Sequence, residues 1–175
     1  MTKPEILEHL RGKDEKLFNF LKNQDISKWD KGPEGKWTTG QQVLHLVQSA
    51  KAINKGLGAP KFILRYKFGK SNRTPRPYEA IIKRYHERSE GIKGITFGPS
   101  KNMRVPAQEE KEQLIAELES EHKKLQRHVQ KWSNKSLDKL LLPHPAMGRM
   151  PVREFVMWAG YHVEHHTTAL EQGYN

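Results

Sequence analysis

Four long segments of this chain place their apolar residues at the spacing of an α-helix. They span about residues 3–23, 39–55, 107–132 and 152–170. In each segment apolar side chains recur three and four positions apart, which would give the helix one apolar face. No segment alternates apolar and polar residues well enough to predict a strand. Four such helices in one chain of 175 residues predict an all-α helix bundle in a single domain, residues 1–175.

Local signals place the ends of these helices. Thr39 and Gln42 have the spacing of a capping box, so the second helix is predicted to begin at Thr38 or Thr39. Pro151 suits the first turn of the last helix, where a missing N–H costs nothing. Gly160 lies inside that helix, where glycine costs about 1 kcal/mol relative to alanine. We interpret it as a site where another helix approaches closely, with simple tolerance of the glycine as the alternative.

Residues 57–103 form an insert larger than a minimal bundle needs. Residues 62–68 and 77–89 have helical character, and residues 72–77 form a loop between them. Residues 91–103 are rich in glycine and proline and are predicted to be a long loop. We expect the insert to pack outside the four long helices.

Composition excludes several classes of site. The chain has no cysteine, so disulfides, thiolate metal sites and a cysteine nucleophile are excluded. No stretch is apolar for long enough to span a membrane, and the first residues lack the apolar core of a signal peptide. We therefore expect a cytoplasmic protein. The net charge of +11 is spread along the chain without a nucleic-acid-binding motif, so we interpret it as a solvated basic surface.

Two histidines of the last helix are spaced to share one ligand. His162 and His166 are four residues apart and so project from the same face of a helix. At about 100° per residue they fall on the apolar stripe of that helix, whereas His165 lies off it. Two imidazoles in this arrangement can bind one divalent metal ion. Chance is an alternative, because the chain has nine histidines.

Three motifs, in order, resemble those of the DinB-like superfamily. Residues 37–46 (WTTGQQVLHL) resemble its tryptophan, helix cap and second-helix histidine. Residues 144–154 (HPAMGRMPVRE) resemble the turn that leads into its last helix, and residues 161–166 (YHVEHH) its terminal histidine motif. Each motif is weak alone. Their order and their separation across two helices make the resemblance specific.

The resemblance implies an up-down-down-up four-helix bundle with a three-histidine metal site. Transferred to this chain, the ligands are His45, His162 and His166, and the metal is commonly zinc or nickel. Periodicity does not predict this role for His45, which shares a polar stripe with Gln41 and Ser49. Known members include thiol-dependent S-transferases and a mycothiol-dependent isomerase, and bundles of this kind often form homodimers.

We therefore expect a metal-dependent S-transferase or hydrolase that acts on a small molecule. Three histidines leave a coordination position open for substrate or water. Any thiol co-substrate must come from solution. Arg73 and Arg76 are candidates to bind an anionic substrate, with a plain basic loop as the alternative. His122 is a candidate to face the substrate or support a ligand, with an ordinary core histidine as the alternative. A non-catalytic or sensory metal-binding bundle and, less favoured, a nucleic-acid-binding protein remain the other functions.

Overall fold

The computed structural model describes residues 1–91 and 102–174, so most of the predicted loop at 91–103 lies outside the described residues. Two short 3-10 turns, Ile26–Lys28 and Gln108–Glu110, join larger elements. The helices and strands of the described ranges are α1 (Lys3–Asn23), α2 (Thr39–Gly58), α3 (Lys61–Phe68), α4 (Tyr78–Glu90), α5 (Lys111–Lys131), α6 (Asn134–Lys139), β1 (Leu141–His144), β2 (Gly148–Pro151) and α7 (Val152–Gly173).

Helices α1 and α7 run parallel to each other. Lys13 pairs with Glu164 at 2.7 Å, and one turn later Lys16 pairs with Glu171 at 2.7 Å. Residue numbers therefore rise in the same direction along both helices. Exposed ion pairs of this kind contribute little stability, about 0–1 kcal/mol each, but they fix the register unambiguously.

Helices α2 and α5 form a second parallel pair. Lys51 pairs with Glu117 at 2.5 Å, and one turn later the amide of Asn54 donates to the Glu121 carboxylate at 2.7 Å. Asn54 also donates to the backbone carbonyl of Glu121 at 2.8 Å. Because Asn54 is buried, these two bonds satisfy an NH₂ group that would otherwise destabilise the interface.

The two pairs are antiparallel to each other. The ammonium of Lys3, at the start of α1, donates to the carbonyl of Gln130 at the end of α5. At the other end, Lys111 at the start of α5 donates to the carbonyl of Gln24, which follows α1. The all-α, up-down-down-up four-helix bundle is thus confirmed, with α3 and α4 packed outside it, α4 mainly against α7. None of the described helices is both long and apolar enough to cross a bilayer.

A short hairpin before α7 was not predicted from the sequence. β1 and β2 pair antiparallel, with Leu142 opposite Met150 and both side chains buried. Gly148 reverses the chain with a φ of 73°, a conformation that glycine adopts at little cost. The alternation was hard to detect because each strand has four residues and includes a proline. The hairpin directs the chain into α7.

The capping box of α2 lies one residue earlier than predicted. The Thr38 side chain accepts from the backbone N–H of Gln41 at 3.1 Å, and the Gln41 side chain accepts from the backbone N–H of Thr38 at 2.9 Å. Thr38 and Gln41 have the same spacing as the predicted pair, Thr39 and Gln42, which is why spacing did not give the exact position. The outcome matters because it leaves the Gln42 side chain free to enter the core.

Gly160 marks a close approach between α7 and α1, as predicted. A Cβ atom at this position would lie 2.5 Å from the ring of His9, which is half-buried on α1. No side chain larger than hydrogen fits there without moving that ring. The contact lies half a turn before His162 and so holds this part of α7 against α1.

We expect Gly160→Ala to lower the free energy of unfolding by about 1 kcal/mol, because overpacking costs about 1–3 kcal/mol and alanine returns about 1 kcal/mol of helix propensity. In a His9→Ala background the ring is gone, so the same substitution should stabilise the protein. Urea unfolding of the four combinations measures this change of sign.

Gly12→Ala is the matched control, since an added Cβ at Gly12 has no neighbour within 4 Å among the described residues. It should stabilise α1 in both backgrounds. If Gly160→Ala behaves like Gly12→Ala with His9 present, the close approach does not constrain the packing.

Candidate metal centre

Three histidines from two helices turn the same ring nitrogen toward one point. The Nε2 atom of His162 lies 3.0 Å from the Nε2 atom of His45 and 3.2 Å from the Nε2 atom of His166. His45 comes from the middle of α2, and the other two come from successive turns of α7. Within the described ranges this is the group of histidines or carboxylates whose geometry could hold a metal ion.

The spacing of these nitrogens suits a small divalent cation. Zinc–nitrogen bonds of about 2.0–2.1 Å at tetrahedral angles separate neighbouring ligand atoms by about 3.3 Å. His162 and His166 are buried, with 6% and 8% of their surface exposed, whereas His45 is half-buried. The cluster is therefore more open on the α2 side. Three protein ligands with one accessible side are typical of a catalytic metal site rather than a closed structural one.

Gln42 fixes the orientation of one of these rings. Its carbonyl oxygen can only accept, so it takes the hydrogen bond from Nδ1 of His166 at 3.0 Å. The Nδ1–H tautomer leaves the lone pair of His166 on Nε2, the atom that faces the other two rings. Metal-bound histidines characteristically donate their second ring N–H in this way. The one-residue shift of the α2 cap therefore supplies a support for a ligand that the sequence analysis missed.

Two tryptophans cover the sides of the cluster. Trp158 stacks on His162 with ring centroids 4.7 Å apart, and Trp37 packs against His45 at 5.1 Å. The hydroxyl of Tyr174 donates to the Trp37 carbonyl, which ties the segment before α2 to the end of α7. These contacts exclude water from the sides of the cluster and hold the rings in place.

Burial keeps the three imidazoles neutral. It lowers the pKa of His45 to about 4, with a smaller contribution from His165. Burial, and then the neighbouring histidines, lower the pKa values of His162 and His166 well below their ordinary range. At pH 7 each ring is thus neutral, the charge state that metal binding requires.

The structure separates His165 from this cluster and places His45 in it. His165 is exposed, as its angle around the helix predicted. His45 is half-buried despite its polar stripe, because the neighbouring Gln42 on that stripe is itself buried against His166. Periodicity treated the stripe as solvent-facing, whereas α7 packs a polar face of its own against it. Only the family resemblance identified His45.

His122 forms a buried pair with a carboxylate. Its Nδ1–H donates to Asp14 on α1 at 2.6 Å, and Gln126 donates to the other Asp14 oxygen at 2.8 Å. Asp14 and His122 line one cleft together with His162, and the other walls are mostly apolar. The cleft therefore lies between the histidine cluster and His122, whose tautomer is fixed by Asp14. Asp14 was not identified from the sequence, where it appeared as one polar residue within α1.

Arg73 and Arg76 lie outside this cleft and bind a buried glutamate. Both guanidinium groups bind the carboxylate of Glu154, which is 1% exposed in the first turn of α7. Burial would raise the pKa of Glu154, but the hydrogen bonds from Arg73 and from the backbone N–H of Arg76 outweigh it and lower this pKa. The two arginines thus fasten the insert to α7 and do not line the cleft beside His162.

His144 is the last residue of β1, directly before the turn to β2. Its Nδ1 accepts from the backbone N–H groups of Ala146 and Met147, both at 3.1 Å. Its ring meets the ring of Trp158 edge-on, with centroids 4.2 Å apart. His144 therefore holds the hairpin against the tryptophan that covers His162.

The chain belongs to the DinB superfamily, whose sequence pattern it matches over residues 5–170. No curated protein matches the sequence. Among solved structures it is similar to YfiT from Bacillus subtilis, described as a probable metal-dependent hydrolase with an unusual four-helix bundle topology. That similarity has a TM-score of 0.63 and 18% sequence identity, and covers 98% of this chain and 87% of YfiT. At this identity the similarity shows a shared fold.

We expect substitution of any one of His45, His162 or His166 by alanine to remove most of the metal from protein purified without an affinity tag. Loss of the supporting bond in Gln42→Ala should weaken affinity less, by about 10–100-fold. Elemental analysis and metal titration measure both effects. Melting temperatures of the metal-free proteins should differ little, because the packed helices hold the fold.

His165→Ala is the control, since it removes an exposed imidazole from the same helix that is not one of the three convergent rings. If His165→Ala loses metal while His166→Ala retains it, the assignment of ligands is wrong. If His45→Ala matches the wild type in metal content, the site has only two histidines.

Proposed function

We propose that this protein is a metal-dependent hydrolase acting on a small molecule. The convergence of three neutral histidine nitrogens beside a small cleft of about 10 Å³ carries the proposal. A divalent ion held by His45, His162 and His166 would polarise a substrate oxygen and lower the pKa of water. Zinc and nickel both suit three imidazoles, and we propose that one of them is the resident ion.

The residues of the chain have separate roles in this proposal. Gln42 holds the His166 ring, and the two tryptophans exclude water from the sides of the cluster. In the cleft, Asp14 holds the Nδ1 proton of His122, which leaves Nε2 of His122 able to take a proton. A histidine oriented by a carboxylate in this way is the usual arrangement for a general base. We assign His122 to that role, with room for one water molecule in the cleft between it and His162.

Thiol-dependent S-transfer is the second candidate. Its supporting observation is the same open side of the cluster, because a position that admits water also admits a thiolate. The thiol would be a low-molecular-weight compound from solution, since the chain has no cysteine. The cytoplasmic location stays a prediction that suits this reaction, because such thiols are kept reduced there.

We expect the zinc- or nickel-loaded protein to hydrolyse an activated ester such as p-nitrophenyl acetate, and His45→Ala to abolish the activity together with the metal. His122→Gln should keep the metal but lower kcat by about 10²–10⁴-fold, the usual contribution of a general base. Steady-state kinetics across pH 5–9 measure these changes.

His128→Gln is the matched control, because His128 lies on the same helix outside the cleft and should leave kcat unchanged. A parallel assay with glutathione and a chlorinated nitrobenzene separates S-transfer from hydrolysis. Metal retention with no activity in either assay would favour the non-catalytic metal-binding bundle. Equal kcat values for His122→Gln and His128→Gln would remove His122 from the mechanism.

We also propose a homodimer. Two aromatic side chains on α3, Phe62 and Tyr66, are 73% and 90% exposed and four residues apart, so they form an apolar strip on one face. Light scattering should give about twice the single-chain mass of 20.4 kDa, and Phe62→Ser with Tyr66→Ser should halve it. A single-chain mass for the wild type at micromolar concentration would contradict the proposal.

A further inference from the structure

A second pocket lies beside the first turn of α7 and is lined by four arginines. Arg73 and Arg76 come from the loop before α4, Arg84 from α4 itself and Arg149 from β2. The pocket encloses about 110 Å³. That is the volume of about four water molecules at roughly 30 Å³ each, which is room for one small oxyanion.

The single carboxylate in the pocket does not balance these charges. Among the described residues that line the pocket, Glu154 is the only acidic one, so four guanidinium groups face one carboxylate, an excess of three positive charges. The two Glu154 oxygens already accept four hydrogen bonds from Arg73 and Arg76. An oxygen with its lone pairs engaged in this way has little capacity left to neutralise further cations.

Two of the arginines have most of their donors free. Within residues 1–91 and 102–174, Arg84 has no ion pair or hydrogen bond, and Arg149 has only a long bond of 3.4 Å to the Phe68 carbonyl. Arg76 uses one side-chain N–H group for Glu154. The pocket therefore combines surplus charge with N–H groups that lack protein acceptors in the described structure. Planar guanidinium forks match phosphate and carboxylate oxygens.

This pocket is separate from the histidine cluster. Glu154 precedes His162 by eight residues on α7, which is about 12 Å along the helix at 1.5 Å per residue. The residues that line the pocket include no member of the cluster or of the cleft beside it. Arg73 and Arg76 thus line a pocket that is separate from the site of the proposed hydrolysis.

We propose that the arginine pocket binds a phosphate group, either free phosphate or the phosphate end of a small ester. A phosphate ester carries about 1.5–2 negative charges at pH 7 and presents three oxygens to surrounding donors. That charge offsets most of the excess in the pocket, which a single carboxylate would not. Because the pocket adjoins both the insert and α7, a bound phosphate would join Arg84 of α4 to Arg149 of the hairpin.

Isothermal titration of the full-length protein with inorganic phosphate, in buffer free of phosphate and sulfate, tests the proposal. We expect one site per chain, with affinity that falls as sodium chloride is raised. Arg84→Gln with Arg149→Gln should weaken binding at least tenfold without changing the melting temperature, because neither arginine carries an ion pair in the described structure. Arg65→Gln with Arg127→Gln removes the same charge from exposed positions on α3 and α5 and should bind like the wild type.

Two further titrations test where phosphate binds and whether the pocket prefers phosphate to a carboxylate. His166→Ala should retain phosphate binding, whereas binding through a metal at the histidine cluster would be lost in this variant. Malonate should bind at least tenfold more weakly than phosphate, and equal or tighter binding of malonate would overturn the phosphate assignment. No saturable binding of phosphate, or equal binding by the two double arginine variants, would overturn the proposal itself. None of these results depends on hydrolytic activity.

Discussion

The burial of α7 on nearly all sides is the constraint on which the rest of the structure depends. Residues 152–160 are all buried, and the helix contacts α1, α4, α6 and the hairpin. Along residues 152–160 the helix has no solvent-facing stripe for its polar groups. A buried polar side chain on α7 is stable when it has a partner inside the protein or binds something from outside, since an unsatisfied buried group costs about 1–3 kcal/mol.

The polar residues of α7 meet that requirement in different ways. Glu154 is satisfied by two arginines of the insert, and the Thr167 hydroxyl donates to the Val163 carbonyl one turn earlier at 2.8 Å. His166 is satisfied on one side by Gln42. The Nε2 atoms of His45, His162 and His166 face one another. Three neutral rings that share one point are best satisfied by a cation. The proposed metal centre thus follows from the same requirement that fixes Glu154.

The two parallel pairs of helices explain how the cleft is built. Because α1 pairs with α7 and α2 with α5, Asp14 and His122 meet across the bundle close to the turn that carries His162. The insert adds to this frame from outside, and its loop is held by Glu154. The bundle therefore positions the histidine cluster, whereas the insert supplies the arginines of the second pocket. Two chemically distinct places arise along one helix.

The sequence by itself determined the four helices, their approximate ends and the shared face of His162 and His166. These features depend on helical periodicity and on spacing within one segment, which a sequence displays directly. The close approach at Gly160 was also predictable, because glycine within a helix needs a packing reason.

Only the tertiary structure decided which residues from different helices meet. It decided that Thr38 caps α2, which placed Gln42 behind His166, and that Asp14 lies against His122. It also decided that Arg73 and Arg76 bind Glu154. The reason is physical: periodicity assigns each residue to a face of its own helix, but contacts between helices depend on their packing order, direction and register, and the short hairpin depends on pairing between strands.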